Sequence, residues 1–228
     1  MTTTDGTTYE VRVGGRRGPA VLLLHGFTGR GADWSPFLPA IQKTCRTIVV
    51  DLLGHGRSDA PTDPVRHAIE RQTAHLAELL RRVQATPAVV VGYSMGARVA
   101  LRLAVTEPAI VRGLILESPS AGIAEPRERA ARVAADANLA DKLEREGLEA
   151  FLETWEALTL FATERRLPAK VQAQISRDRR RNRPTASPPR CAVPARGSWS
   201  PWSTGCARST APSSWSRVRS IRPASSGR

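Results

Sequence analysis

One run constrains this chain more than any other: Val89 to Leu101, reading VVVGYSMGARVAL. Three consecutive valines predict a buried strand. A glycine-flanked serine follows, and then a helical pattern opens. Gly92 and Gly96 stand two positions either side of Ser94, the G-x-S-x-G spacing. A serine on so sharp a strand-to-helix turn sits in strained backbone, so its neighbours must be small. Its hydroxyl then projects above the carboxyl end of a sheet. The N–H of the next residue, Met95, lies at a helix N-terminus, where orphan donors and the helix dipole favour an oxyanion. A Gly/Ser turn without chemistry shares the five-residue pattern. The strand before it and the helix after it favour the nucleophile.

The flanking chain agrees. Tyr9 to Val13 alternates like an outer hairpin strand, and GGRRGP (14–19) is a turn. Ala20 to Leu24 (AVLLL) is a continuous apolar run, as expected of a strand covered on both faces. It ends in His25-Gly26-Phe27-Thr28-Gly29. A helix is predicted from near Trp34 to about Lys43. Arg46 to Val50 (RTIVV) is the next strand and leads into DLLGHGRS, residues 51–58. Pro64 to Val83 is amphipathic, with Ala68, Thr73, Leu76, Leu79 and Leu80 on the predicted buried face. The helix after Ser94 runs to about Thr106, and Val111 to Leu116 is a further strand. Strands alternating with helices predict a mostly parallel α/β sheet, with its ligand site beyond the carboxyl ends of the strands. From Pro126 to about Arg181 strand patterns vanish. Leu139, Leu143, Leu148, Phe151, Leu152, Trp155 and Leu158 suggest amphipathic helices, either a lid over the site or a plain helical layer.

The formal charge of +13 invites a nucleic-acid reading, but its location argues otherwise. From Arg179 onward there are 11 arginines and no lysine or acidic residue, while the preceding 178 residues are net +2. No stretch approaches the roughly 20 apolar residues of a membrane helix. Residues 1–10 lack the charged-then-apolar order of a signal peptide. Cys45, Cys191 and Cys206 show no metal or disulfide spacing. A reducing cytoplasm is therefore expected.

Three clusters, LHGF (24–27), DLLGHGRS (51–58) and GYSMG (92–96), together resemble the α/β-hydrolase fold. A longer set is more specific: GYSMGAR (92–98), ESPSAG (117–122), EGLEAF (146–151) with Trp155, and RRRNRP (179–184). This set resembles one branch, the 2-succinyl-6-hydroxy-2,4-cyclohexadiene-1-carboxylate synthases of menaquinone biosynthesis. The resemblance implies a lyase that eliminates pyruvate from a succinyl-enolpyruvyl cyclohexene carboxylate, with a Ser-His-Asp triad as base and no metal or cofactor. It implies Ser94 as the triad serine and Phe27 and Met95 as oxyanion-hole donors. It places Arg98, Arg132 and Arg179 at carboxylate-binding positions and Tyr93 and Trp155 on the pocket wall. Guanidinium groups suit that task because they pair bidentately with carboxylates. Read alone, Arg132 fits a solvated helix face equally well, and Trp155 fits a core. His25 and His55 stand in loop motifs that the fold uses structurally. His67 and His75 fall in a helix and are expected at the surface. Ala97 stands where glycine is common, and Leu53 where proline is usual before G-H-G.

In this fold the acid and the histidine follow the serine in the chain. After Asp178 there is no Asp, Glu or His, and after Leu167 no leucine. The sequence therefore divides into an α/β-hydrolase core (1–125), a helical lid (126–182) and an Arg/Ser/Pro-rich segment (183–228). The fold is expected to lack its C-terminal strands. That last segment has too little apolar content to offset its ordering entropy, which predicts coil. Its composition is what a G+C-rich gene yields out of frame. The expected function is thus a lyase on a small polycarboxylate, inactive in this chain. An esterase or C–C hydrolase of the same fold is the second reading. A non-enzymatic protein whose basic arm binds nucleic acid is the third.

Overall fold

The computed structural model describes residues 1–120 and 122–181. The expectations for residues 183–228 lie outside the described residues. The five described strands are β1 (Val11–Gly14), β2 (Ala20–Leu24), β3 (Arg46–Val50), β4 (Ala88–Tyr93) and β5 (Val111–Glu117), in the order β1-β3-β2-β4-β5. β1 runs antiparallel to β3, and the other three pairings are parallel. The chain leaves β2 toward β3 on one side and returns to β4 on the other. That reversal opens a crevice at the carboxyl ends of β2 and β4, where open α/β sheets bind ligands.

The period-2 alternation of the strands decides the packing. Leu22, Leu24, Ile48, Val50, Ala88 and Val90 form one buried face. Against it lie α2 (Ile69–Arg82), through Leu76, Leu79 and Leu80, and α3 (Met95–Thr106), through Val99, Ala100 and Leu103. Val21, Leu23 and Val49 face the other way, onto Trp34, Leu38, Ile41 and Cys45.

Three sequence expectations shift. The helix predicted from Trp34 to Lys43 is a 3-10 turn (Gly31–Trp34) and a single turn, α1 (Leu38–Ile41). Pro36 and Pro39 remove the N–H groups a continuous helix would need. The helix predicted over Pro64–Val83 divides at Ala68, which has extended backbone (ψ 137°) between a 3-10 turn and α2. His67 and His75, expected at the surface, are buried. Their partners are unreadable from helix periodicity. The His67 ring donates to the Pro61 carbonyl, 2.7 Å away. His75 lies between the Tyr9 hydroxyl and the Asp5 carboxylate, each at 3.1 Å.

The helical segment begins with α4 (Pro126–Glu156), which bends at Gly147 (φ 83°, ψ 178°), a conformation essentially confined to glycine. Two 3-10 turns follow (Thr159–Phe161 and Glu164–Arg166), then α5 (Ala169–Arg180). No described helix is long and apolar enough to cross a membrane.

Candidate active site

Ser94 sits between β4 and α3 at φ 51°, ψ −106°, a region non-glycine residues rarely occupy. Its N–H donates to the Glu117 carbonyl at the end of β5 (2.9 Å), which ties the turn to the neighbouring strand. The two flanking glycines are required by close approach. A Cβ on Gly92 would meet the Gly96 carbonyl oxygen at 2.4 Å, and one on Gly96 would meet the Leu24 carbonyl oxygen at the same distance. The helix can therefore start directly beneath the strand ends, with Ser94 above it.

Phe27 and Met95 flank this serine from the β2 loop and the first turn of α3. Among the described residues neither N–H has an acceptor. Two such donors beside a serine suit an oxyanion. The β2 loop is held by buried groups. His25 Nε2 accepts from the Leu52 N–H (2.9 Å), so its Nδ1 carries the proton and donates to the Gly26 carbonyl (2.8 Å). Asp51 accepts from the Gly31 and Arg57 N–H groups. Burial pushes His25 down to about 4 and His55 down to about 3, so both rings are neutral at pH 7.

A cleft of about 900 Å³ lies over the serine, lined by Phe27, Tyr93, Ser94, Arg98, Arg132, Trp155 and Arg179 among others. That volume suits a small-molecule ligand. Of the residues singled out by sequence, only Met95 is absent from the lining; it is buried beneath, as a backbone donor would be. Phe27 meets Trp155 edge-on (ring centroids 5.1 Å), and Trp155 stacks on Phe151. The helical segment thus covers the β2 loop with aromatic rings. Burial, reinforced by the Glu164 carboxylate, raises the Tyr93 phenol.

Arg98 is buried at the base of the cleft. Guanidinium groups around the cleft arrive paired, which the motifs did not indicate. Arg132 Nε donates to Asp136 (2.8 Å), one helical turn on. Arg179 Nη2 donates to Glu164 (2.9 Å), Nη1 lies 3.5 Å from Glu156, and the group rests 4.6 Å over Phe161. Arg30 donates to Asp178 on α5 (2.6 Å). Asp136 was readable as an i,i+4 partner of Arg132. Arg30 and Asp178 lie 148 positions apart and carried no local signal.

No imidazole reaches the serine. All four histidines of the chain are described, and each engages other groups: His25 and His55 in the loops, His67 at Pro61, His75 at Tyr9 and Asp5. Among the described residues no group of three His, Cys, Asp or Glu side chains gathers to hold a metal.

The α/β hydrolase fold family pattern matches residues 19–217. The chain is 37% identical over 222 residues to a Bacillus subtilis (strain 168) protein provisionally named 2-succinyl-6-hydroxy-2,4-cyclohexadiene-1-carboxylate synthase, covering 97% of this chain and 76% of that protein. It is 34% identical to the Pectobacterium atrosepticum protein of the same name, over 63% of this chain and 56% of that protein. Among solved structures it resembles MenH from S. aureus, with a TM-score of 0.73 at 28% identity, covering 85% of this chain and 73% of that one.

Proposed function

We propose that this chain, which belongs to the 2-succinyl-6-hydroxy-2,4-cyclohexadiene-1-carboxylate synthase branch of the α/β-hydrolase family, carries the substrate pocket of a menaquinone-pathway lyase without its base. The reaction removes a ring proton, forms a ring C=C bond and breaks the C–O bond to the enolpyruvyl group, which leaves as pyruvate. Ser94 would be the triad serine, the Phe27 and Met95 N–H groups would hold the developing oxyanion, and Arg98, Arg132 and Arg179 the substrate carboxylates. Tyr93 and Trp155 would bound the ring. The observation that carries this reading is Ser94 at φ 51° on the β4–α3 crossover, beneath a cleft with four arginines in its wall, Arg98, Arg132 and Arg179 among them. Arginine at positions 98, 132 and 179 favours a polyanion over a simple ester, although Asp33, Asp136, Glu164 and Asp178 share the wall. The helical segment would act as the lid.

A serine hydroxyl titrates far too high to act at pH 7 without a partner base. Losing a triad histidine costs on the order of a millionfold in a serine protease. We therefore propose negligible synthase activity for this chain. The residues after 181 contain no Asp, Glu or His that could complete a triad. We also propose that they are read out of frame. The family match continues to residue 217, so a diverged segment is the competing origin. Translating the coding DNA in its other two frames checks this: one frame should restore valine- and leucine-rich strands, an aspartate and a later histidine. Absence of all three from both frames would leave divergence as the cause.

The lyase reading is tested on the chain carrying that restored segment, with the succinyl-enolpyruvyl substrate. Pyruvate release at enzyme rates supports it. Ester hydrolysis without pyruvate release would assign the site to an esterase instead.

A further inference from the structure

Beside the cleft over Ser94 lies a second, open cavity of about 490 Å³, lined by Arg12, Arg30, Arg57 and Arg181 together with Glu10 and Asp51. Arg30 and Ala32 line both cavities and form their common wall. Half of these charged groups are already engaged. Asp178 takes Arg30 at 2.6 Å and Arg181 at 3.2 Å. Asp51 is buried, and its carboxylate accepts from the Gly31 N–H (2.6 Å) and the Arg57 N–H (3.0 Å). Three groups remain: the Arg12 and Arg57 guanidinium groups and the Glu10 carboxylate, whose side chains form no hydrogen bond or ion pair among the described residues. Their placement follows from the local chain. Glu10 immediately precedes β1 and Arg12 is two positions on, so extended backbone sends both to one side of the sheet edge. A Cβ on Gly31 would meet Arg12 Nη2 at 2.8 Å, so the bare glycine seats the guanidinium over the start of the first 3-10 turn. Arg57 arrives from the loop after β3, with its own N–H fixed by Asp51.

We propose that this cavity is a binding site for a small phosphate monoester that carries hydroxyl groups. Arg12 and Arg57 take the phosphate, because guanidinium forks match its oxygens bidentately. Glu10, which as a carboxylate can only accept, takes a ligand hydroxyl. An anion without hydroxyl groups meets Glu10 as a like charge with nothing to offset it, so the three free groups select for both features on one molecule. The volume lies in the range of small-molecule sites. The site is separate from the chemistry at Ser94 and stands whether or not the lyase reading does.

The test measures binding of ribose 5-phosphate and inorganic phosphate to the full chain by calorimetry. Ribose 5-phosphate should bind the more tightly. Arg12→Gln combined with Arg57→Gln changes two exposed side chains, so circular dichroism should be unaltered. That pair should weaken ribose 5-phosphate about tenfold or more, through loss of charge-assisted hydrogen bonds. Glu10→Ala should cut the preference for ribose 5-phosphate over inorganic phosphate about fivefold, the effect of one hydrogen bond. Loss of a charge alone would move both ligands together and leave that preference unchanged. Unaltered affinity in the doubly substituted chain would place the anion in the cleft over Ser94 or on the arginines from position 179 onward, and would overturn the proposal. Failure of ribose 5-phosphate to bind the parent chain, or a preference unmoved by Glu10→Ala, would overturn it as well.

Discussion

The residue scale is where the site is most sharply determined. Ser94 owes its position to two side chains that are missing. A methyl group on Gly96 would collide with the Leu24 carbonyl oxygen at 2.4 Å and the His25 carbonyl oxygen at 2.6 Å, both backbone atoms that cannot swing away. Gly96→Ala should cost about 2–3 kcal/mol, read as a lower urea midpoint at unchanged slope; an unchanged midpoint would mean the crossover is looser than described. Burial of the loop histidines has a pH consequence. The folded protein keeps His25 neutral down to about 4, whereas the unfolded chain protonates it near 6.5. Between those values the unfolded state binds the extra proton, so stability falls as pH drops from about 6.5 toward 4 and is complete above that window. Urea titrations across pH 4–7 should show this slope, and His25→Asn should reduce it, with the remainder coming from His55, which burial also holds down, to about 3. These residues were legible because they belong to short motifs whose spacing encodes the geometry. The burial of His75 was not, because its partners, Tyr9 and Asp5, lie 66 and 70 positions away.

Among the elements, the strands and the two helices packed on them follow from periodicity alone. AVLLL, RTIVV and the valine run before Ser94 predict three buried parallel strands, and the structure sets them side by side in the order β3-β2-β4. The segment between β2 and β3 was misread as one helix because its apolar spacing outweighed two prolines. The helical segment illustrates a different gap. Its helices were readable, but its attachment was not, because charged clasps between distant elements leave no pattern. Arg30–Asp178 joins the β2 loop to α5, and Arg180–Glu149 (2.7 Å) joins α5 to α4. Partly exposed pairs of this kind contribute little to global stability, about 0–1 kcal/mol each. Their effect should be local. Arg30→Ala should leave the thermal midpoint within a few degrees yet speed limited proteolysis within residues 126–181 severalfold. Unchanged proteolysis would show that the aromatic contacts of Phe27, Phe151 and Trp155 hold the segment unaided.

At the scale of the whole molecule, under the function proposed above, the chain joins a pocket over Ser94 to a triad without its histidine and acid. Ser94, Phe27 and four arginines line one cleft, and all four histidines bond elsewhere. The excess positive charge lies in the sequence beyond Asp178, of which Arg179 lines the cleft, while the preceding 178 residues are near neutral. On the proposed reading, family membership and present competence part company. The most direct measurement of that separation is pyruvate release from the succinyl-enolpyruvyl substrate by the purified chain. The account predicts a rate indistinguishable from buffer alone, and no change on Ser94→Ala. Turnover of about 1 per second or faster, abolished by Ser94→Ala, would contradict it.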